Sequence, residues 1–198
     1  MSDDLRDRLA EAADRTTLLA ALADRDVGSL SSRDIERIGR RLRELALPAD
    51  LRLMLLGNHT LDALARAVTA AAMCRGVVLD ARVGPFDQHM QVLLDPSLGL
   101  AEHDPQAIFL SLDLGRLLPA LPAGLADLSR EGRRGLVDQA LDAIEAWIAT
   151  ARQRTAATLL VGNFWRPRRP HLGLADGKLE GGEAALYGHL NAALLDAY

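Results

Sequence analysis

Hydroxyl, imidazole, carboxamide and carboxylate groups gather in three short segments of the chain. They are Gly57-Asn58-His59-Thr60, Asp113-Leu114-Gly115-Arg116, and Gly162-Asn163-Phe164-Trp165 running into Arg166-Pro167-Arg168-Arg169-Pro170-His171. In the first segment the Thr60 hydroxyl could serve as a nucleophile if a base stood beside it. The Asn58 carboxamide could donate to a developing oxyanion, with His59 or Asp113 in support. Arg166, Arg168 and Arg169 carry the planar fork that suits phosphate. A helix starting near Thr60 would point free backbone donors and its positive end toward the same place. Gly57, Gln88 and Asn163 complete the set expected at an anion-binding or arm-binding crevice. Each residue also has a structural reading. Asn58 or Thr60 would cap the following helix, Asp113 would cap a turn or pair with an arginine, and the arginine run would be a solvated loop. Phe164 and Trp165 would line a pocket or pack beneath that loop.

Other chemistries lack their residues. One cysteine, Cys74, permits neither an intrachain disulfide nor a cysteine cage for zinc, and favours a reducing compartment. The five histidines, at 59, 89, 103, 171 and 189, offer no pair at metal-ligand spacing on one helix. No Gly-x-Gly-x-x-Gly or Walker loop is present. Neither a metal nor a cofactor is therefore expected. Asp24-Arg25-Asp26-Val27-Gly28 has the spacing of an aspartyl phosphatase motif but follows a helical stretch, so it reads as a helix terminus.

The elements that must hold these segments follow from periodicity. Short apolar runs at Leu51 to Leu56, Val77 to Val83, Ala107 to Leu112 and Thr158 to Val161 read as buried strands. Between the first two, Leu61, Leu64, Ala65, Val68 and Ala72 make one helical stripe. Before the fourth, Val137, Ala140, Leu141, Ile144, Ile148 and Ala151 make another, and Leu186, Leu190 and Leu194 mark a final helix. The long interval from Gly115 to Gly132, with Pro119 and Pro122, reads as a loop with short helical turns. Alternating strands and helices predict an α/β domain over residues 48–198, a doubly wound parallel sheet of order 2-1-3-4. Its crevice lies at the carboxyl ends of the first and third strands, where the three polar segments converge. Residues 1–47 read as an N-terminal helical appendage, with Ser31-Ser32-Arg33-Asp34 as a capping box. No fifth strand follows the fourth, whose open edge could pair with a second copy, so a homodimer is one expectation.

At 198 residues the chain suits one domain with a small addition. A net charge of -4 lacks the basic footprint of a nucleic-acid binder. No run of 18 apolar residues exists and the charged start is no signal peptide, so no membrane partner and a cytoplasmic location are expected.

The strand ending in Gly57-Asn58-His59-Thr60 is followed by Pro85-Phe86-Asp87-Gln88, Leu93-Leu94-Asp95-Pro96-Ser97-Leu98-Gly99-Leu100, His103-Asp104-Pro105 and Val161-Gly162-Asn163-Phe164. This succession resembles the N-terminal, SGNH-hydrolase-like, flavodoxin-type domain of FkbH-like proteins. In that family a haloacid-dehalogenase-like domain normally follows. It takes a glyceryl unit from 1,3-bisphosphoglycerate, removes phosphate, and loads an acyl carrier protein for polyketide-type assembly. The resemblance implies a non-catalytic unit that docks the carrier or its phosphopantetheine arm, or supports the phosphatase-like domain, which is absent from these residues.

SGNH hydrolases themselves use a serine after the first strand and a late Asp-x-x-His pair. Here Asn58-His59-Thr60 stands at the first position, Ser111-Leu112-Asp113 falls where an asparagine block belongs, and neither Asp176 nor His189 completes the late pair. Two further readings stand beside carrier docking: a divergent SGNH-type hydrolase or acyltransferase acting through Thr60, and a scaffold self-associating through the N-terminal helices.

Overall fold

A computed structural model describes residues 2–23, 25–118, 121 and 124–197. Four strands form the sheet: β1 (Leu51–Gly57), β2 (Leu79–Val83), β3 (Ala107–Ser111) and β4 (Thr158–Val161). All pairings are parallel and the order is β2-β1-β3-β4. The α/β, doubly wound reading and its strand order are therefore those of the structure. The second strand is shorter than expected, beginning at Leu79 rather than Val77. Val77 instead donates its N–H to the Ala72 carbonyl at the end of the preceding helix.

The alternation of side chains across each strand decides what covers each face. Met54 and Leu56 of β1, with Ile108 and Leu110 of β3, point to one side. There α5 (His89–Leu94), α8 (Arg130–Arg154) and α9 (Glu183–Ala197) bury them beneath Val92, Ile144, Trp147, Ile148, Leu186 and Leu190. Leu53 and Leu55 point the other way, toward Leu61 and Ala65 at the start of α4 (Asp62–Met73). Two four-residue helices complete the connections, α6 (Leu100–His103) before β3 and α7 (Leu114–Leu117) after it. Pro119 and Pro122 lie outside the described residues, as does Asp24. Leu121 and Leu125 are nevertheless placed in the core beside Leu118.

Outside α4 sits a third layer of α1 (Ser2–Glu11), α2 (Arg15–Leu22) and α3 (Ser32–Leu45). Leu5, Leu9, Leu18, Leu22 and Ile38 close around one another and around Ala70 and Met73 of α4. The capping box at Ser31 and Asp34 is present, and Asp14 with Thr17 forms a second one at α2. Asp26 caps a 3-10 turn over Val27–Ser29 by accepting the Gly28 N–H at 3.2 Å, which is the helix-terminus reading of that motif. No described helix is long and apolar enough to cross a membrane.

Candidate functional site

The carboxyl ends of β1, β3 and β4 open onto a cleft of about 890 Å³. Its lining includes His59 after β1, Ser111 and Asp113 at the end of β3, Asn163 and Trp165 after β4, His171 from the segment that leads into α9, and Glu183 and Tyr187 from α9 itself. The floor forms where β1 and β3 approach most closely. A Cβ on Gly57 would stand 2.2 Å from the Ser111 carbonyl oxygen, so only glycine fits there. One step further, buried Asn58 clamps the two strand ends together. Its Oδ1 accepts the Asp113 N–H at 2.6 Å and its Nδ2 donates to the Asp113 carbonyl at 3.0 Å. The carboxamide thus continues the ladder by one rung beyond the last strand pair. Asn191 of α9 repeats the device on the far side, accepting from the Phe164 N–H at 2.8 Å and donating to its carbonyl at 3.0 Å.

These bonds reassign several residues. Asn58 is spent on strand geometry, so neither the oxyanion-donor nor the helix-cap reading describes it. The N-cap of α4 is Leu61, with no side-chain cap bond, and Thr60 is exposed at a smaller depression of about 240 Å³ between the ends of β1 and β2. Asp62 in the first turn of α4 places a negative charge at the end that was expected to receive an anion. Asp113 caps α7 by accepting the Arg116 N–H at 3.0 Å. Gln88 is exposed and lies at no described cavity, whereas Asn163 is exposed and does line the cleft. Phe164 packs into the core and Trp165, 88 % exposed, stands over the opening. Arg166, Arg168 and Arg169 are exposed and do not line the cleft. Arg166 stands in the chain between Trp165 and Pro167, which do line it, and Arg168 and Arg169 follow Pro167.

Two imidazoles face the cleft in different states. His171 donates its backbone N–H to Glu183 Oε2 at 2.7 Å, and its Nδ1 lies 3.1 Å from both carboxylate oxygens. The Glu183 side chain is 2 % exposed against 56 % for His171. Asp176 fixes this corner by accepting the Glu183 and Ala184 N–H groups at 2.7 and 3.1 Å, at the start of α9. A carboxylate against Nδ1 places a hydrogen there, so that in the neutral imidazole Nε2 is the acceptor. His59 is arranged the other way. Its Nε2 is 3.4 Å from Ser111 Oγ, while its Nδ1 is buried with no partner among the described residues. The tautomer of His59 decides which of Nε2 and Ser111 Oγ donates in that contact. Burial, with the Asp113 and Glu183 charges behind it, pushes the Tyr187 phenol up to about 12 and keeps it a hydrogen-bond donor.

The cleft lining contains no arginine or lysine among the described residues, and both of its charged side chains are carboxylates. It favours a neutral group over an anion. Ser111, His171, Glu183 and Tyr187 were not among the residues singled out for a role from the sequence. The acid follows the histidine by twelve residues, a separation that no spacing rule for a triad supplies. The described residues contain no cluster of three metal-ligating side chains.

A twisted parallel sheet covered on both faces, with its polar cleft at the carboxyl ends of the strands, defines a flavodoxin- or Rossmann-like α/β unit. Its likeness to a solved structure agrees. The N-terminal part of the protein BF1531 from Bacteroides fragilis, a crystal structure containing a phosphatase domain complexed with Mg, superposes with a TM-score of 0.57 at 16 % identity. The match takes in 93 % of this chain but 42 % of that one, so this chain spans less than half the length of its structural neighbour. No protein-family model matches the chain, and no curated protein matches it either.

Proposed function

We propose that the chain is the carrier-docking α/β unit of a larger, phosphatase-containing protein of the FkbH-like type. One observation carries this reading: a roomy cleft with no arginine or lysine in its described lining, whose lining residues Trp165 and Pro167 are chain neighbours of the exposed Arg166, Arg168 and Arg169. That division matches a phosphopantetheine arm on an acyl carrier protein. The phosphate and the carrier's acidic surface would meet the arginines, and the neutral amide arm would enter between Trp165 and Tyr187. A free phosphoglycerate fits less well, because its charges would lie beside Asp113 and Glu183. Glyceryl loading from 1,3-bisphosphoglycerate would then belong to the phosphatase-like partner domain. The likeness to a longer, phosphatase-containing chain supports such a parent. The N-terminal helices pack their apolar faces on one another and on α4, which favours carrier docking over a self-associating scaffold. The outer edge of β4 stays open beside Leu160, 47 % exposed, and a homodimer would form there.

The reading is tested by titrating the labelled chain with carrier protein carrying or lacking the phosphopantetheine arm, following amide shifts. Saturable shifts at Ser111, Asn163 and Trp165 are expected only with the arm present. Replacing Arg168 and Arg169 together by alanine should weaken binding about tenfold, roughly 1.4 kcal/mol. Absence of shifts with either carrier would overturn it.

A further inference from the structure

The depression of about 360 Å³ between α3, α4 and β2 is lined chiefly by alanine, leucine and aliphatic stems, and nothing in the structure shows what would cover it. Buried His103 is engaged with the Leu53 carbonyl at 3.2 Å. A smaller depression of about 90 Å³, between the first turns of α8 and the side of α9, differs because charge of one sign gathers there. Arg130, Arg133 and Arg134 line it from α8 and His189 from α9, against one carboxylate, Glu180, in the described lining.

We propose that this depression binds a tetrahedral oxyanion, as inorganic phosphate or as the phosphoryl end of a phosphate monoester. The site is separate from the cleft and does not rest on the carrier-docking reading. Glu183 and Tyr187 of α9 line the cleft, whereas Leu186 and His189 of the same helix line this depression. The sequence builds it by spacing. Residues 130, 133 and 134 stand at i, i+3 and i+4, so three guanidinium groups share one stripe on the first turns of α8. That placement is electrostatically unfavourable twice over, since the cations sit at the positive end of a 25-residue helix and beside one another. Glu131 in the same turn is exposed and does not line the depression. Glu180 pairs with Arg130, but both side chains are more than half exposed, at 64 % and 58 %, and such a pair offsets little. An anion in the depression would offset the rest.

Arg133 anchors the site. It is 8 % exposed and has no carboxylate partner among the described residues. Its Nε donates to the Glu180 carbonyl at 2.9 Å, and its Nη1 to the carbonyls of Leu128 and, at 3.5 Å, Leu125. Gly181, at a φ of 71° that favours glycine, makes the turn just past Glu180. These carbonyls orient the guanidinium but leave its charge without a counterion, and its Nη2 has no partner among the described residues. The anion would therefore meet one fork held rigid by burial and two, from Arg130 and Arg134, that are exposed and free to turn. A volume of about 90 Å³ equals the share of about three waters, at roughly 30 Å³ each, enough for a phosphoryl group but not for a nucleoside. On binding, the anion would displace the Glu180 carboxylate from Arg130 into solvent.

The test titrates the 198-residue chain, at constant ionic strength, with sodium phosphate, with glycerol 3-phosphate and with sodium acetate, following backbone amide and arginine Nε resonances. Saturable shifts are expected at Gly181 and at Arg133 Nε with both phosphates, with a dissociation constant on the order of 1 mM, and not with acetate. Equal affinity for the two would assign recognition to the phosphoryl group itself, and tighter binding of glycerol 3-phosphate would assign it to a monoester. Arg134→Gln, which breaks no described hydrogen bond, should weaken phosphate binding about fivefold, as should Arg130→Gln. Glu180→Gln should tighten it about threefold by freeing Arg130. Replacing Arg168 and Arg169 together by glutamine removes more charge elsewhere and should leave the affinity unchanged. Circular dichroism checks that each variant folds. Absence of saturable shifts, acetate bound as tightly as phosphate, affinity unchanged in both Arg130→Gln and Arg134→Gln, or an equal loss in the Arg168 and Arg169 variant each overturns the proposal. Carrier docking is read at Ser111, Asn163 and Trp165, so either reading can fail without the other.

Discussion

The two ends of the sheet use polar side chains in opposite ways. At the amino-terminal end charges are consumed by one another and by backbone. Arg52 donates to the Asp104 carbonyl at 2.7 Å and to its carboxylate at 2.8 Å, Gln106 Oε1 accepts the Arg52 N–H, and Arg15 grips Asp50 with both terminal nitrogens. At the carboxyl end the strands are tied by neutral groups, the carboxamides of Asn58 and Asn191. Carboxylates there carry no guanidinium partner within the described cleft lining, to which His171 and Ser111 also contribute. Neutral clamps hold backbone in register without adding a cation that would bind or neutralise the cleft, so one end serves cohesion while the other keeps its reactive groups available.

The largest way to break that contrast is Gly57→Ala. The added carbon meets backbone rather than a flexible side chain, so β1 and β3 must part at the cleft floor. A loss of about 3 kcal/mol is expected, at the upper end for overpacking. Urea denaturation should show it as a lowered midpoint with little change in slope. The same carbon at Gly162 would press on the edge of the Phe109 ring, at 2.9 Å, and meet backbone only at 3.4 Å, the Leu110 carbonyl oxygen, so Gly162→Ala should cost visibly less. Next comes Asn58→Ala, which strips the Asp113 N–H of its acceptor and leaves the Asp113 carbonyl only its bonds from the Arg116 and Leu117 N–H groups. About 2 kcal/mol should be lost. Asn58→Asp should restore little, since a carboxylate can accept from the Asp113 N–H but cannot donate to its carbonyl.

How far these features could be read beforehand depends on what kind of signal encodes them. The four strands, their order and the stripes on α4 and α8 were legible because burial on alternating faces leaves periodic apolar residues, as at Leu53 to Leu56 and Ala140 to Ile148. The convergence of the three polar segments was legible too, because parallel topology sends every strand's carboxyl end to one edge. Individual roles were not. Asn58 reads as cap or donor, and its clamp on the strand ends emerges only once the position of Asp113, 55 residues away, is known. Glu183 reads as an ordinary first-turn acid, and only the path of the intervening loop brings His171 back to it. The arginine run was visible, but not that it lies outside the cleft its neighbours line.

Tyr187 sharpens the contrast from the electrostatic side. In a Tyr198→Phe variant it is the sole tyrosine, and its phenolate absorbance should appear at about 12 rather than near 10. Because the folded value is raised, its contribution to stability is complete below pH about 10 and is lost as pH climbs from there toward about 12. Asp113→Asn should bring the transition down by removing one of the charges that oppose ionisation. No change on that substitution would mean that Asp113 does not reach the cleft interior electrostatically, and the acidic description of the cleft would fail.

The smallest effect belongs to the amino-terminal end, where the pairs are solvated. Arg15 holds the Asp50 carboxyl below the usual carboxylate range, helped by the Val78 N–H that donates to Asp50 at 2.8 Å. A depressed folded value means the contribution is present above the ordinary carboxylate pKa and disappears as pH falls below it. Arg15→Ala should therefore lower the melting temperature slightly at neutral pH, and the difference from the unmutated chain should shrink at acid pH and in molar salt. Asp50→Ala should do more, since it also strips the Val78 N–H of its partner just before β2. The two ends would then differ in kind. Salt should erase much of what Arg15 gives and leave what Asn58 gives nearly intact, and equal salt sensitivity at both would show that the neutral clamp is not what holds the cleft floor.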